Sequence, residues 1–148
     1  MSRIFVLGLL AASLGLAACS SVPYSQRLAE RQAAYAAAAG APVHSFRFYH
    51  SLWSWEPLGR DQLVVYTRPQ QAFLLDAGGC LDLDYTNAIG LTSNLGEVSV
   101  GFDKVLTGRR NLPCTITQIR PIDVKRLKAT QAQQRKIETE PRSAAGAQ

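Results

Sequence analysis

The sequence contains few of the residues and motifs on which enzymatic chemistry usually depends. Among its 148 residues there are two histidines and three cysteines, and no two cysteines form a Cys-x-x-Cys motif. There is no Gly-x-Ser-x-Gly element of the kind that positions a nucleophilic serine. The diglycine at residues 78–79 is not followed by the lysine and helix of a phosphate-binding loop. We therefore expect a protein that is not an enzyme and that uses no cofactor.

A metal site is the one catalytic alternative that the residue types allow. His44 and His50 lie six residues apart on one predicted strand, and Asp82 and Asp84 share a face of another. Two imidazoles and two carboxylates would suit zinc if those strands were neighbours. Histidines at a strand edge and solvated aspartates explain the same residues, so we expect no metal.

The amino-terminal segment has the parts of a bacterial secretion signal. Arg3 supplies a positive charge, and residues 4–16 form an apolar run shorter than the roughly 20 residues of a membrane-spanning helix. Leu-Ala-Ala-Cys at residues 16–19 resembles the lipobox, in which the cysteine, here Cys19, is acylated. A plain secreted protein is the alternative. With Ser20 next, we expect a protein held by membrane lipid at the periplasmic face of the outer membrane of a Gram-negative cell.

Composition divides the chain into a domain and its appendages. The predicted parts are a signal peptide at 1–18, a tether at 19–42, a β domain at 43–128 and a polar tail at 129–148. The tether is rich in alanine and can form a helix in which Leu28 and Tyr35 are the large apolar anchors. We interpret it as a spacer from the membrane, with a helix packed on the domain as the alternative.

The formal net charge of +5 does not indicate a nucleic-acid-binding protein. Residues 43–122 contain seven basic and seven acidic side chains, which cancel. The excess of basic residues lies in the segment that follows. We interpret that segment as a solvated helix, with contact to anionic lipid as the alternative.

The central region is typical of a small antiparallel β protein. Seven short runs carry β-branched, aromatic or alternating apolar residues, at 44–50, 61–67, 71–77, 80–85, 88–93, 97–102 and 114–119. The second and third of these runs suit a hairpin. Because a flat open sheet would leave both edges bare, we expect a mainly β half-barrel or sandwich of six to seven short strands. One C-terminal helix follows, capped by Asp123 and packed through Val124 and Leu127.

Cys80 and Cys114 remain once Cys19 is assigned to lipid, and both begin predicted strands. In an oxidising compartment a disulfide between them is the simplest interpretation. It would close a loop of about 35 residues and stabilise the fold by about 3 to 4 kcal/mol. A redox-active pair is the alternative, but no Cys-x-x-Cys motif supports it.

Two tryptophans, Trp53 and Trp55, stand two residues apart, with Tyr49 before them and Pro57 after them. We take Tyr49, Trp53 and Trp55 as the candidate binding surface, because tryptophans on one face of a strand can hold a sugar ring, an acyl chain or a partner protein. They can equally close the end of the core, which the small size of the domain favours.

Several segments together resemble the DUF6491 family of small Gram-negative lipoproteins, whose function is unknown. These are the lipobox and the stretches WEPLGRDQLVVYTRPQQAFLLDAGGCLDL, VGFDKV and CTITQIRPIDVKRLK. The resemblance covers residues 46–127 and implies an envelope lipoprotein domain. It implies no reaction and no catalytic residue.

The sequence predicts a function in one of three classes. The first is a non-catalytic binding or adaptor module with another envelope protein as its partner. The second is a carrier or sensor that holds a small apolar molecule in a half-barrel. The third is a metal-dependent envelope hydrolase that uses the two histidines and the two aspartates.

Overall fold

The computed structural model describes residues 22–49, 51–80, 82–108 and 113–139, which form eight strands and two α-helices. Neither helix is long and apolar enough to cross a membrane. The helices are α1 (Tyr24–Ala38) and α2 (Val124–Thr139). The strands are β1 (Ser45–Arg47), β2 (Ser54–Pro57), β3 (Gln62–Arg68), β4 (Gln71–Gly78), β5 (Gly90–Leu91), β6 (Glu97–Ser99), β7 (Lys104–Leu106) and β8 (Cys114–Ile122).

Six of these strands form one antiparallel sheet in the order β2-β3-β4-β8-β7-β5, which curves into a half-barrel. β3 and β4 form the predicted hairpin, with Val65 opposite Phe73. β4 then pairs along its length with β8, where Leu75 is opposite Ile119. β1 and β6 form a separate antiparallel pair. The predicted mainly β fold and the half-barrel are therefore confirmed.

Both faces of the β3-β4 hairpin are buried. Successive side chains of a strand point to opposite sides of the sheet, so neighbouring residues belong to different core clusters. Leu63 and Val65 belong to the core cluster on one face, and Val64 belongs to the cluster on the other. The β1-β6 pair covers the first face, where Phe46 stacks on Phe73 with ring centroids 4.4 Å apart. The helices cover the second face. The half-barrel therefore has a packed interior and lies between a small sheet and a helical layer.

Helix α1 corrects the interpretation of residues 19–42 as a spacer. Ala34, Tyr35 and Ala38 are buried against the sheet, and Tyr35 is only 2 % exposed. Ala34 and Ala38 lie four residues apart and so share a helix face with the neighbouring Tyr35. The small number of large apolar residues favours a spacer, but a face of alanines around one tyrosine is enough to dock a helix.

Helix α2 begins as the sequence predicts. The Asp123 carboxylate accepts a hydrogen bond from the backbone N–H of Arg126 at 3.0 Å, which confirms Asp123 as the N-cap. Val124 and Leu127 are buried, so the first turns pack on the sheet as expected. The helix continues to Thr139, and part of the predicted polar tail is therefore helical.

The strand pattern differs from the prediction at three places. β2 and β7 were not predicted, because they have only four and three residues. The run at 80–85 is not a strand, since Leu83–Tyr85 form a 3₁₀ turn. Leu83 is buried and Tyr85 is exposed, so one turn reproduces the alternation of a short strand. Asp82 and Asp84 therefore do not share a strand face.

A disulfide joins Cys80 to Cys114, as predicted, with the two Sγ atoms 2.05 Å apart. Cys80 follows β4 and Cys114 begins β8, so the bond links the ends of two neighbouring strands. Both cysteines are buried in the core cluster of the first face. The disulfide thus fixes the centre of the half-barrel.

Candidate functional site

A groove lies between the two edge strands of the half-barrel, β2 and β5. Residues of both edges line it, so the edges face each other across a single opening of about 570 Å³. We call this opening the seam groove. Its lining residues are Phe48, Ser51, Leu52, Trp53, Ser54, Trp55, Ile89, Gly90, Leu91 and Ser93.

The seam groove is lined by both apolar and uncharged polar groups, and it carries no charged side chain among these described lining residues. Five lining side chains are half-buried and pack on the core cluster of the first face: Phe48, Leu52, Trp55, Ile89 and Leu91. The other lining residues are three serines, a glycine and Trp53. Because the core holds these five apolar side chains in place, the groove is preformed.

The residues of the candidate binding surface have different environments. Trp55 is half-buried and packs on the core, whereas 66 % of Trp53 is exposed. Tyr49 is 68 % exposed. The backbone N–H of Trp53 donates to the carbonyl of Tyr66 at 2.8 Å, which holds its main chain beside β3. Trp55 thus helps to close the core, while Trp53 and Tyr49 present aromatic surface to solvent.

A tight turn beside the groove exposes another large apolar residue, which sequence reasoning missed. Leu95 is 98 % exposed and has a φ of 50°, in the left-handed region that costs a non-glycine residue about 1 kcal/mol or more. A Cβ at Gly96 would lie 2.8 Å from the carbonyl oxygen of Phe48. The close approach places this turn against the chain that leads to Tyr49. No sequence signal marks a leucine in a turn as a surface residue of this kind.

Helix α1 holds the β2 wall of the groove from the opposite face of the sheet. The Tyr35 hydroxyl donates to Glu56 Oε2 at 2.6 Å and lies 3.2 Å from the Tyr66 hydroxyl. Arg31 Nη1 lies 2.9 Å from Glu56 Oε1. Burial, and then the hydrogen bonds to Glu56 and Tyr66, raise the pKa of Tyr35, so its hydroxyl remains a donor at neutral pH. These contacts fix an edge strand of only four residues.

A polar cluster fixes β1 against β6, next to the groove. Ser45 Oγ donates to Glu97 Oε1 at 2.5 Å, and Arg47 Nη2 lies 3.0 Å from Glu97 Oε2. The hydrogen bond from Ser45, and then the hydrogen bond and charge of Arg47, lower the pKa of Glu97. Because β1 leads directly into Phe48, this pairing helps to place one wall of the groove.

The histidines and aspartates of the alternative metal site are not brought together among the described residues. His44 is exposed, and His50 lies outside those residues. Asp82 and Asp84 flank Leu83 in the 3₁₀ turn region. Across residues 22–49, 51–80, 82–108 and 113–139, no three His, Cys, Asp or Glu residues are grouped so that they could hold a metal ion. The predicted lipidation residue, Cys19, also lies outside the described residues.

Comparison with known proteins gives a family and no activity. No curated protein and no solved structure matches the chain. The model of a family of unknown function, DUF6491, matches residues 2–138. This span contains the half-barrel, α1, the seam groove and all but the last residue of α2. The chain therefore belongs to the DUF6491 family.

Proposed function

We propose that this protein is a lipid-anchored component of the cell envelope that binds another envelope protein through the seam groove and performs no catalysis. The lipid anchor is Cys19, placed by the lipobox at residues 16–19 after an apolar leader. The family match begins at residue 2, so the leader and Cys19 fall within the region shared with the family. Ser20 favours the periplasmic face of the outer membrane as the location.

The seam groove is the observation that carries the binding function. Its walls are large apolar side chains that the core does not fully cover, and two exposed aromatic residues, Trp53 and Tyr49, lie beside it. Tryptophan and tyrosine contribute strongly to protein interfaces. A preformed groove also avoids much of the ordering cost of association.

The lining chemistry favours binding over catalysis. The polar side chains of the groove are the hydroxyls of Ser51, Ser54 and Ser93. A serine becomes a nucleophile when a neighbouring base takes its proton. The described lining residues include no histidine, carboxylate or lysine for that role.

A small apolar ligand is the second candidate occupant, because the groove volume of about 570 Å³ falls in the range of small-molecule sites. Such a ligand would lie in the seam. The interior of the half-barrel is filled by side chains such as Phe46, Phe73 and Leu75.

Photocrosslinking in cells tests the partner. A photoreactive residue replaces Trp53, and the matched control replaces Phe102, which is 84 % exposed and does not line the groove. We expect a discrete protein adduct from position 53 only. Equal adducts from both positions, or none from position 53 in folded and abundant protein, contradict binding of a protein in the groove.

Lipid attachment is tested by mass spectrometry of the mature amino-terminal peptide. We expect an acylated Cys19 at the new amino terminus, and release of the protein from membranes when Cys19 is replaced by serine. An unmodified Cys19 would refute the lipid anchor but would not affect the proposal that the groove binds a partner.

A further inference from the structure

The hydrogen-bond register leaves main-chain groups facing outward on the β2 wall of the seam groove. In an antiparallel pair, residues whose N–H and C=O face the partner strand alternate with residues whose groups face away. The backbone N–H of Leu58 donates to the carbonyl of Gln62 at 2.8 Å. Glu56 and Ser54 lie two and four residues before Leu58, so their backbone N–H and C=O groups also face β3. The N–H and C=O of Trp55 point away from β3, out of the edge of the sheet.

Pro57 agrees with this register. It occupies the other outward-facing position of β2, opposite Leu63. Proline has no N–H, so an edge strand tolerates it where no ladder bond is needed. Pro57 also limits the free edge of β2 to the main chain around Trp55.

The β5 wall presents a second outward-facing pair. The backbone N–H of Thr92 donates to the carbonyl of Lys104 at 3.0 Å, so Thr92 faces β7. Leu91, the next residue back and opposite Val105, therefore directs its N–H and C=O away from β7. Leu91 and Trp55 both line the seam groove. Within the described part of the chain, the seam groove is thus bordered by two main-chain donor and acceptor pairs that have no strand partner.

We propose that the occupant of the seam groove is an extended, uncharged segment of the partner protein, which pairs with the main chain at Trp55 and Leu91; this proposal rests on the binding function above. An extended peptide repeats donor and acceptor groups along its length and directs alternate side chains to one side. Its apolar side chains pack on Phe48, Leu52 and Ile89 at the groove walls. A small apolar ligand would offer no hydrogen-bond partner to these main-chain groups. A charged segment would meet no opposite charge among the lining residues.

Peptide binding followed by NMR tests this pairing. The probe is a library of acetylated, amidated six-residue peptides in which valine, isoleucine or phenylalanine alternates with serine or threonine, added to the ¹⁵N-labelled full chain. We expect at least one peptide to shift the amide resonances of the groove-lining residues and to slow amide hydrogen exchange at Trp55 and Leu91. The Trp53 amide is already bonded to Tyr66 and should change little.

Backbone methylation separates main-chain pairing from apolar contact. The same peptide, N-methylated at alternate residues, keeps its side chains but loses hydrogen-bond donors, and we expect it to bind about tenfold more weakly. Trp53→Ala should weaken binding of the parent peptide, and Phe102→Ala should leave it unchanged.

Each outcome separates this inference from the proposed function. Equal binding of the methylated and parent peptides would overturn the main-chain pairing and keep the groove as a binding site. A second outcome would have the same meaning: no peptide binds, but the neutral dye N-phenyl-1-naphthylamine binds in the groove and Trp53→Ala weakens its binding. If neither probe occupies the groove and no crosslink forms from position 53, both the inference and the proposed function fail.

Discussion

Replacing Tyr35 with phenylalanine removes one hydroxyl from the interface between α1 and the sheet and leaves the ring in place. That hydroxyl donates to Glu56 at 2.6 Å and lies 3.2 Å from the hydroxyl of Tyr66. A hydrogen bond to a charged group contributes about 1.5 to 3 kcal/mol. Glu56 keeps its ion pair with Arg31, so its carboxylate retains a partner. We therefore expect Tyr35→Phe to lower the free energy of unfolding by about 1.5 to 2 kcal/mol.

Urea unfolding monitored by circular dichroism measures this loss. The matched control is Tyr24→Phe, which removes a hydroxyl from an exposed residue of the same helix and should change the free energy of unfolding by less than about 0.5 kcal/mol. A double-mutant cycle with Glu56→Gln should give a coupling energy of at least about 1 kcal/mol, because the two side chains are in direct contact.

Equal and small losses for Tyr35→Phe and Tyr24→Phe would refute a stabilising hydrogen bond between Tyr35 and Glu56. A large loss with no coupling to Glu56 would instead assign the stability to the contact with the Tyr66 hydroxyl, and the bond to Glu56 would not hold the β2 wall.

Three further predictions concern the disulfide, the tryptophans and Glu97. Replacing Cys80 and Cys114 together with serine should cost about 3 to 4 kcal/mol in the same urea assay, and an unchanged midpoint would contradict a stabilising disulfide. Trp55→Ala should cost about 2 kcal/mol because Trp55 packs on the core, whereas Trp53→Ala should change stability by less than about 0.5 kcal/mol; equal effects would show that the two environments do not differ. The pKa of Glu97 is lower in the folded state, so its contribution is present above the ordinary glutamate pKa and is lost as the pH falls through the folded value. Wild type and Glu97→Gln should therefore differ in urea midpoint at neutral pH and converge in acid, and a constant difference would refute this.

The sequence predicts the centre of the fold well because its signals there are strong. The runs that become β3 and β4 are long and rich in large apolar residues, and a turn at Pro69 separates them. The N-cap of α2 and the disulfide can also be recognised in the sequence. Asp123 follows a proline-containing strand, and Cys80 and Cys114 are the pair that remains once the lipobox prediction assigns Cys19 to lipid.

The prediction fails where single residues or long-range contacts decide the structure. β2 and β7 are too short to show a period, and they exist because a neighbouring strand supplies hydrogen bonds. Helix α1 docks through Tyr35, whose partner Glu56 lies 21 residues away in the chain. For the site, the aromatic residues are recognisable, but β5 and its Leu91 wall reach the groove only through closure of the sheet.

Because α1 is docked on the sheet, the linker between the proposed lipid anchor and the folded domain is very short. If Cys19 carries the acyl chains, only five residue steps separate it from the first residue of the helix, Tyr24. Fully extended chain spans at most about 3.6 Å per residue, so the helix begins within about 18 Å of the lipid attachment point. A free 24-residue tether would have allowed a reach several times longer. A lipid-anchored protein of this kind would stay close to the membrane surface, and we expect that a partner would have to approach the bilayer to bind it.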